Sequence, residues 1–369
     1  MLSTKSLLLP AAALLCSLAS SQTPAKPEPD TLVLNDGEKL IGHLVRSTGG
    51  SVRFKSDVLG EVTVDWSKIK ELHAGGVYAV IPKNVTLKAK APVTVPEGAV
   101  SETDQKIAVA DASGTKSVAV TDTAMVIDKP AFDKALKGSD GFFHDWRGTV
   151  TAGLSFVEAT QNSRTFNEAI AVVRTEPGED WLARRNRTSA DFSSSYGLVS
   201  QTGLPTIKTS IYHADAERDE YFSPRIFGFG QALFDHSFSQ GLDLQQTYVG
   251  GIGWSVFGNA KHSLDLKAGV SFINQQFSGL KSTSLAGSAF DEKYVRHFKK
   301  AVFTQELAIN PSWTNSKALS GITSAGLSVP VIKKFSLTIG ASDNYLDNPP
   351  AGFKRNSTQF TTGLTYVLP

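Results

Sequence analysis

From Trp146 to the C-terminus the chain alternates apolar and polar residues in blocks of about ten, and this constrains the fold more than any other feature. A period of two sends successive side chains to opposite faces of a strand. In Trp146–Phe156 the even positions Trp146, Val150, Ala152, Leu154 and Phe156 oppose Arg147, Thr149, Thr151 and Ser155. In His262–Phe272, Leu264, Leu266, Ala268, Val270 and Phe272 oppose Ser263, Asp265, Lys267, Gly269 and Ser271. Phe335, Leu337, Ile339 and Ala341 repeat the pattern, as do Phe360, Leu364, Tyr366 and Leu368. A soluble sandwich also alternates, with its apolar face inward. Here the other face is rich in Ser, Thr, Gly and Gln, as a wet lumen would be. Trp146, Phe156, Phe272 and Tyr366 fall near strand ends, where interfacial aromatic girdles lie. The pattern therefore predicts a transmembrane antiparallel β-barrel over residues 142–369.

Spans at 146–158, 164–175, 185–198, 206–219, 224–237, 244–257, 261–276, 290–299, 301–313, 320–332, 334–346 and 356–368 make about twelve strands. The spans at 206–219 and 290–299 are weakly patterned, so ten is the alternative. With an even number both ends return to one side. The longer links near 198–206, 276–290 and 346–356 then share the opposite side. Arg147, Lys267 and Lys334 are the side chains expected to narrow the lumen.

Residues 1–21 read as a signal peptide, with Lys5 in the n-region, Leu7 to Leu18 as the apolar run and Ala19-Ser20-Ser21 before the cleavage site. The run is too short for a spanning helix and is broken at Pro10. Cys16 is the single cysteine and leaves with this segment, so the mature chain is expected to hold no disulfide or cysteine-based site. Leu15, directly before Cys16, is too bulky for lipoprotein processing. Residues 22–30 form a Pro-rich leader.

Residues 31–128 change to short strands separated by Asn35-Asp36-Gly37, Gly49-Gly50 and Gly60 turns and closed by Trp66-Ser67-Lys68-Ile69. About five strands in some fifty residues suggest a small SH3-like or Sm-like barrel. Val77 to Asp128 reads either as a second β-unit or as a loosely packed extension. Residues 129–141 read as a linker or brief helix.

Lys+Arg 37 against Asp+Glu 35 leaves a net charge of +2 and no basic cluster, so nucleic acid is not an expected partner. The histidines His43, His73, His144, His213, His236, His262 and His297 show no metal-ligand spacing. The Gly250–Gly253 run lies in a strand pattern rather than a dinucleotide loop. Ser210 and His213 share one strand, but their odd spacing puts them on opposite faces and argues against a Ser–His pair. Asp215, Glu217, Arg218, Asp219 and Glu220 read as a solvated loop or strand end, with oxygen ligation of a divalent cation as the functional alternative. Asn344 to Arg355 reads as a Pro/Gly turn loop. No catalytic, cofactor-binding or metal-binding residue is assigned.

Thr361-Thr362-Gly363-Leu364-Thr365-Tyr366-Val367-Leu368 resembles the assembly signal that outer-membrane barrels present to the barrel-assembly machinery, with Leu368 where Phe is usual and Pro369 added. Phe303–Leu307, Gly241–Leu244 leading into Gly250–Trp254, Asn348–Gly352 and Thr361–Tyr366 together resemble the YdiY-like family of salt-induced outer-membrane proteins. The resemblance covers about residues 142–369, and the front unit resembles segments that precede the barrel in some members. It implies a Gram-negative envelope protein in the outer membrane, touching its lipids; the even strand number, with short turns kept on the periplasmic face, puts the front domain in the periplasm against an unidentified partner. The resemblance carries no catalytic residues. The expectation is a non-enzymatic narrow pore or structural barrel linked to salt or osmotic stress, with a lipid-modifying enzyme or an adhesin or binding module as alternatives.

Overall fold

A computed structural model describes residues 29–85, 87, 93–111, 114–138, 141–157, 161–179, 181–201, 203, 205–259 and 261–368. The leader expected over 1–21, and most of the Pro-rich stretch after it, lie outside the described residues. The chain divides into two compact units, broadly the residues up to Phe132 and those from Asp133 onward.

The first unit holds β1 (Asp30–Leu34), β2 (Lys39–Ser47), β3 (Ser51–Ser56), β4 (Gly60–Asp65), β5 (Ile69–Pro82), β6 (Glu97–Thr103), β7 (Lys106–Asp111), β8 (Gly114–Ala119) and β9 (Thr123–Asp128). The helix α1 (Lys129–Lys137) follows. The sheet runs β4-β3-β2-β1-β5-β6-β7-β8, and β9 pairs with both β5 and β2. Strands β2, β1, β5 and β9 therefore close a four-membered ring, the small barrel the turn spacing suggests. Strands β6 to β9 continue the same sheet and core, and their chain path repeats that of the earlier strands. β4 passes through a single turn of 3-10 helix, Trp66–Lys68, into β5; β8 passes through Val120–Asp122 into β9 with nearly the same flanking dihedrals. Val52 and Phe54 of the first copy, and Ile107 and Val109 of the second, enter one shared core with Trp66, Leu72, Val120 and Val126. Asp30 is one of the polar groups buried in this unit, Ser47 and Glu102 being others. The Asp30 carboxylate accepts from the backbone N–H of Leu44 (2.8 Å) and Gly75 (3.1 Å) and from the hydroxyl of Tyr78 (2.6 Å). Burial, reinforced by Asp30, pushes the Tyr78 phenol well above its ordinary range.

The second unit is a closed barrel of twelve antiparallel strands. They are β10 (Trp146–Val157), β11 (Gln161–Glu176), β12 (Asn186–Gln201), β13 (Ile207–Tyr221), β14 (Ile226–Ser237), β15 (Leu242–Gly258), β16 (His262–Phe277), β17 (Thr283–Phe298), β18 (Ala301–Pro311), β19 (Leu319–Ile332), β20 (Phe335–Leu346) and β21 (Asn356–Val367). Each pairs with its sequence neighbour, and β21 returns to β10 through Thr149↔Val367 to Ala152↔Leu364.

The in/out reading holds. Val150, Leu154, Leu266, Val270, Phe272, Leu337, Ile339 and Leu364 are exposed on the outer wall, Leu266 at 38% and Ile339 at 57%. Aromatics are exposed on the same wall, among them Tyr196, Tyr212, Tyr248, Trp254, Phe290 and Phe335. The weakly patterned span at 206–219 is a full strand. Its inner face carries charges and its outer face, apart from Tyr212, small, polar or charged residues, which erases the hydropathy contrast. The span placed at 290–299 begins seven residues earlier, at Thr283, so the long link expected near 276–290 shrinks to 278–282. Ser284, Ala286 and Ser288 fill the outer face of that early part and hide it from hydropathy. The Asn344–Arg355 stretch is strand as far as Leu346, and only 347–355 is loop. The Gly250–Gly253 run lies inside β15. A Cβ on Gly253 would fall 2.2 Å from the Phe227 ring, so the missing side chain is the space that ring occupies.

Candidate functional site: the charged lumen

Strands β12 to β18 turn a period-two series of charges inward. Arg187 of β12 donates through Nε to Asp219 Oδ2 (2.7 Å) and through Nη1 to Asp265 Oδ2 (2.8 Å). Its guanidinium stands 5.6 Å from the centroid of Phe227. One level further in, Lys267 of β16 places Nζ 2.5 Å from Glu217 Oε2 and 3.0 Å from Asp291 Oδ1. That ammonium also lies over Phe229, 5.3 Å from the ring centroid. Lys293 Nζ approaches Glu306 Oε2 at 3.5 Å. Higher again, His213 donates from Nδ1 to Asp235 Oδ1 (2.7 Å), and its Nε2 is 3.7 Å from Asp191 Oδ1. Asp215 accepts from the Gln231 amide at 2.7 Å. Buried charges need partners of this kind, because desolvation costs several kcal/mol per unpaired ion.

The facing wall, built by β19, β20, β21 and β10, is neutral. Ser328, Thr338, Thr365 and Thr151 pass hydrogen bonds along one line of hydroxyls, at 3.2, 2.7 and 2.8 Å. Between the two walls lies a cavity of about 290 Å³, lined on one side by Asp191, His213 and Asp215 and on the other by Ser324, Thr338 and Thr361. Along β14 to β17 the lumen is filled instead: Phe227, Phe229, Leu233, Val249 and Ala289 pack together within it. Towards the end where β14 meets β15, Gln275 donates to Gln245 Oε1 and Asn348 to Gln275 Oε1, closing more of the section.

The charge-dense run from Asp215 to Glu220 is thus neither a solvated loop nor a strand end. Asp215, Glu217 and Asp219 point into the lumen, where arginine, lysine and glutamine side chains take their oxygens. Arg218 and Glu220 turn to the other face and pair with each other (2.7 Å). The spacing of two between His213, Asp215, Glu217 and Asp219 was the available signal of a charged inner face, obscured by the interleaved Arg218 and Glu220. Among the described residues, no group of three His, Cys, Asp or Glu side chains is arranged to hold a metal. Of the lysines and arginine expected to narrow the lumen, Lys267 does so. Arg147 is exposed at the barrel's end, and Lys334 lies in a turn with its ammonium over Tyr366 at 5.8 Å. Ser210 and His213 do face opposite ways: His213 inward, Ser210 outward.

A closed barrel with a largely apolar, aromatic-bearing outer wall and a charged, partly filled interior has the build of a membrane β-barrel. The chain belongs to the family described as protein of unknown function, DUF481, which matches residues 150–368. No curated protein matches the sequence. Among solved structures, the COG4313 outer membrane channel from Pseudomonas putida F1 is 10% identical, covering 62% of this chain and all of that one at a TM-score of 0.35. The translocator domain of the autotransporter NalP from Neisseria meningitidis is 13% identical over 62% of this chain and 90% of that one, with a TM-score of 0.31. The CymD monoaromatic hydrocarbon channel is 9% identical over 81% of this chain and 88% of that one, with a TM-score of 0.28. Likeness that distant carries no functional argument.

Proposed function

We propose that this chain is an outer-membrane β-barrel of the bacterial envelope, with its first unit in the periplasm and a narrow, cation-preferring lumen. The observation that carries the reading is the division of the barrel wall: apolar outside over most of its strands, and carboxylate-rich inside. Around the central cavity Asp191, Asp215, Asp291 and Glu306 outnumber the cations that face them, so the local field favours small positive ions over anions. The lumen itself needs no catalysis for this role. His213 meets carboxylates there, and among the described residues no hydroxyl hydrogen-bonds to it. The links on the proposed outer side are short, the longest being 347–355, which disfavours an adhesin.

Two further elements belong to the proposal. The β10–β21 junction, registered over Thr149–Ala152, is the seam at which the barrel-assembly machinery would engage the C-terminal strand. The family resemblance links the chain to salt stress, which predicts that its abundance rises when external NaCl is raised. Planar-bilayer recording tests the lumen: small conductance steps with a reversal potential favouring K⁺ over Cl⁻ are expected. Folded barrel that never passes small ions would leave only a structural role. Protease added to intact cells should cut within 347–355 and spare residues 31–128; cleavage inside that unit would overturn the orientation.

A further inference from the structure

The structure gives Ser210 a histidine that its own strand does not contain. On the outer wall, at the end of the barrel carrying the 202–206 and 238–241 links, β13 and β14 place Ser210 Oγ 2.9 Å from His236 Nε2. The other ring nitrogen, Nδ1, is 2.9 Å from the backbone oxygen of Asp243. A carbonyl oxygen can only accept, so Nδ1 carries the proton and Nε2 of the neutral ring is left to accept from the serine hydroxyl. This is the nucleophile–base–orienter order of a serine hydrolase, with a main-chain carbonyl in the orienting place. The β14–β15 ladder shifts register between Asp235 and Ser237, a bulge of the kind that re-aims side chains beside functional sites. The Tyr212 ring lies beside the imidazole, with centroids 5.5 Å apart and planes inclined by 33°. Ser210 and His236 are both half-buried, and Lys208, two residues before Ser210 on the same face, is exposed.

We infer that Ser210 and His236 form an outer-wall hydrolytic dyad for fatty-acyl esters of membrane amphiphiles. The wall places the dyad where ester carbonyls lie at the edge of the hydrocarbon layer, and Lys208 offers a positive charge to the headgroup. Ser210 Oγ attacks the ester carbonyl carbon as its proton passes to His236 Nε2. The carbon–oxygen bond to the alcohol then breaks, and His236 returns the proton to the departing alkoxide. Water, deprotonated by the same nitrogen, attacks the acyl-serine, releases the fatty acid and restores the hydroxyl. The inference is independent of what the lumen does, because inner and outer faces alternate along both strands.

The test uses the full chain refolded into vesicles, with barrel closure checked by heat-modifiable gel mobility. A fluorophosphonate probe should add covalently to Ser210 and fail on Ser210→Ala. In folded His236→Gln it should react at least ~10²-fold more slowly, the usual scale for losing a general base. Phosphatidylethanolamine vesicles and vesicles bearing lipopolysaccharide are then compared for released fatty acid, and the one that yields it identifies the ester donor. Folded wild-type protein that neither labels nor releases fatty acid from either vesicle would overturn the dyad. Labelling unchanged in His236→Gln would do the same.

Discussion

Replacing Lys267 by methionine is the sharpest probe of the lumen. Its ammonium sits between Glu217 and Asp291, with the side chain 4% exposed. Methionine keeps the length and loses the charge, which strands the Asp291 carboxylate and leaves Glu217 with Arg187 as its nearest remaining cation. Removing one partner of a buried pair typically costs about 3–5 kcal/mol, or roughly two to three and a half powers of ten in the folding equilibrium at 1.4 kcal/mol per decade. The assay is urea unfolding of vesicle-embedded barrel, followed by the mobility difference between closed and open forms. The triple variant Lys267→Met, Glu217→Gln, Asp291→Asn removes the stranded charges together and should recover most of the loss, since contacting residues are not additive. A single variant as stable as wild type, or a triple variant no better than the single, would refute the claim that this cluster is a desolvated, mutually dependent unit.

Other outcomes follow from the same geometry. Leu266→Arg and Ile339→Arg put a cation on the lipid-facing wall and should each cost about 2–4 kcal/mol near the midplane, read as reduced folding yield in liposomes. Gly253→Leu would drive a side chain into the space held by the Phe227 ring and should abolish folding or displace Phe227, seen as lost heat-modifiability. In the first unit, Tyr78→Phe removes one of three donors to buried Asp30 and should destabilise it by about 1–3 kcal/mol, measured by hydrogen exchange of β5. Glu102 is fully buried and accepts from the Gln105 N–H through one oxygen. Burial raises its pKa, so the folded unit holds that proton more tightly than the unfolded chain. Its stability should be greatest below the unfolded carboxyl value near ~4.3, fall as pH climbs from there to the raised folded value, and then level off. Glu102→Gln should flatten that slope, checked by exchange of the peptide spanning 97–105 at a series of pH values.

Wherever the two faces of a strand differ in hydropathy, the sequence is enough to assign them. Alternation over Trp146–Leu154, His262–Phe272 and Phe335–Ser342 settles which side chains turn out and which turn in, because pleating is local and each strand reports its own faces. Turn residues at Asn35–Gly37 and Gly60 likewise mark the small β-unit at the front. The strand starting at Thr283 was misplaced for the same local reason: Ser284, Ala286 and Ser288 give its outer face no hydropathy to read. The repeat inside residues 39–128 left too little sequence identity to see, because a shared core asks only that Val52 and Ile107, or Trp66 and Val120, be apolar. Tertiary structure alone decided the pairings. Lys267, Glu217 and Asp291 come from β16, β13 and β17, and Ser210 meets His236 across 26 positions of chain. Ring closure, stagger and a single bulge bring those atoms within hydrogen-bond distance, and these are properties of twelve strands together that no one strand encodes.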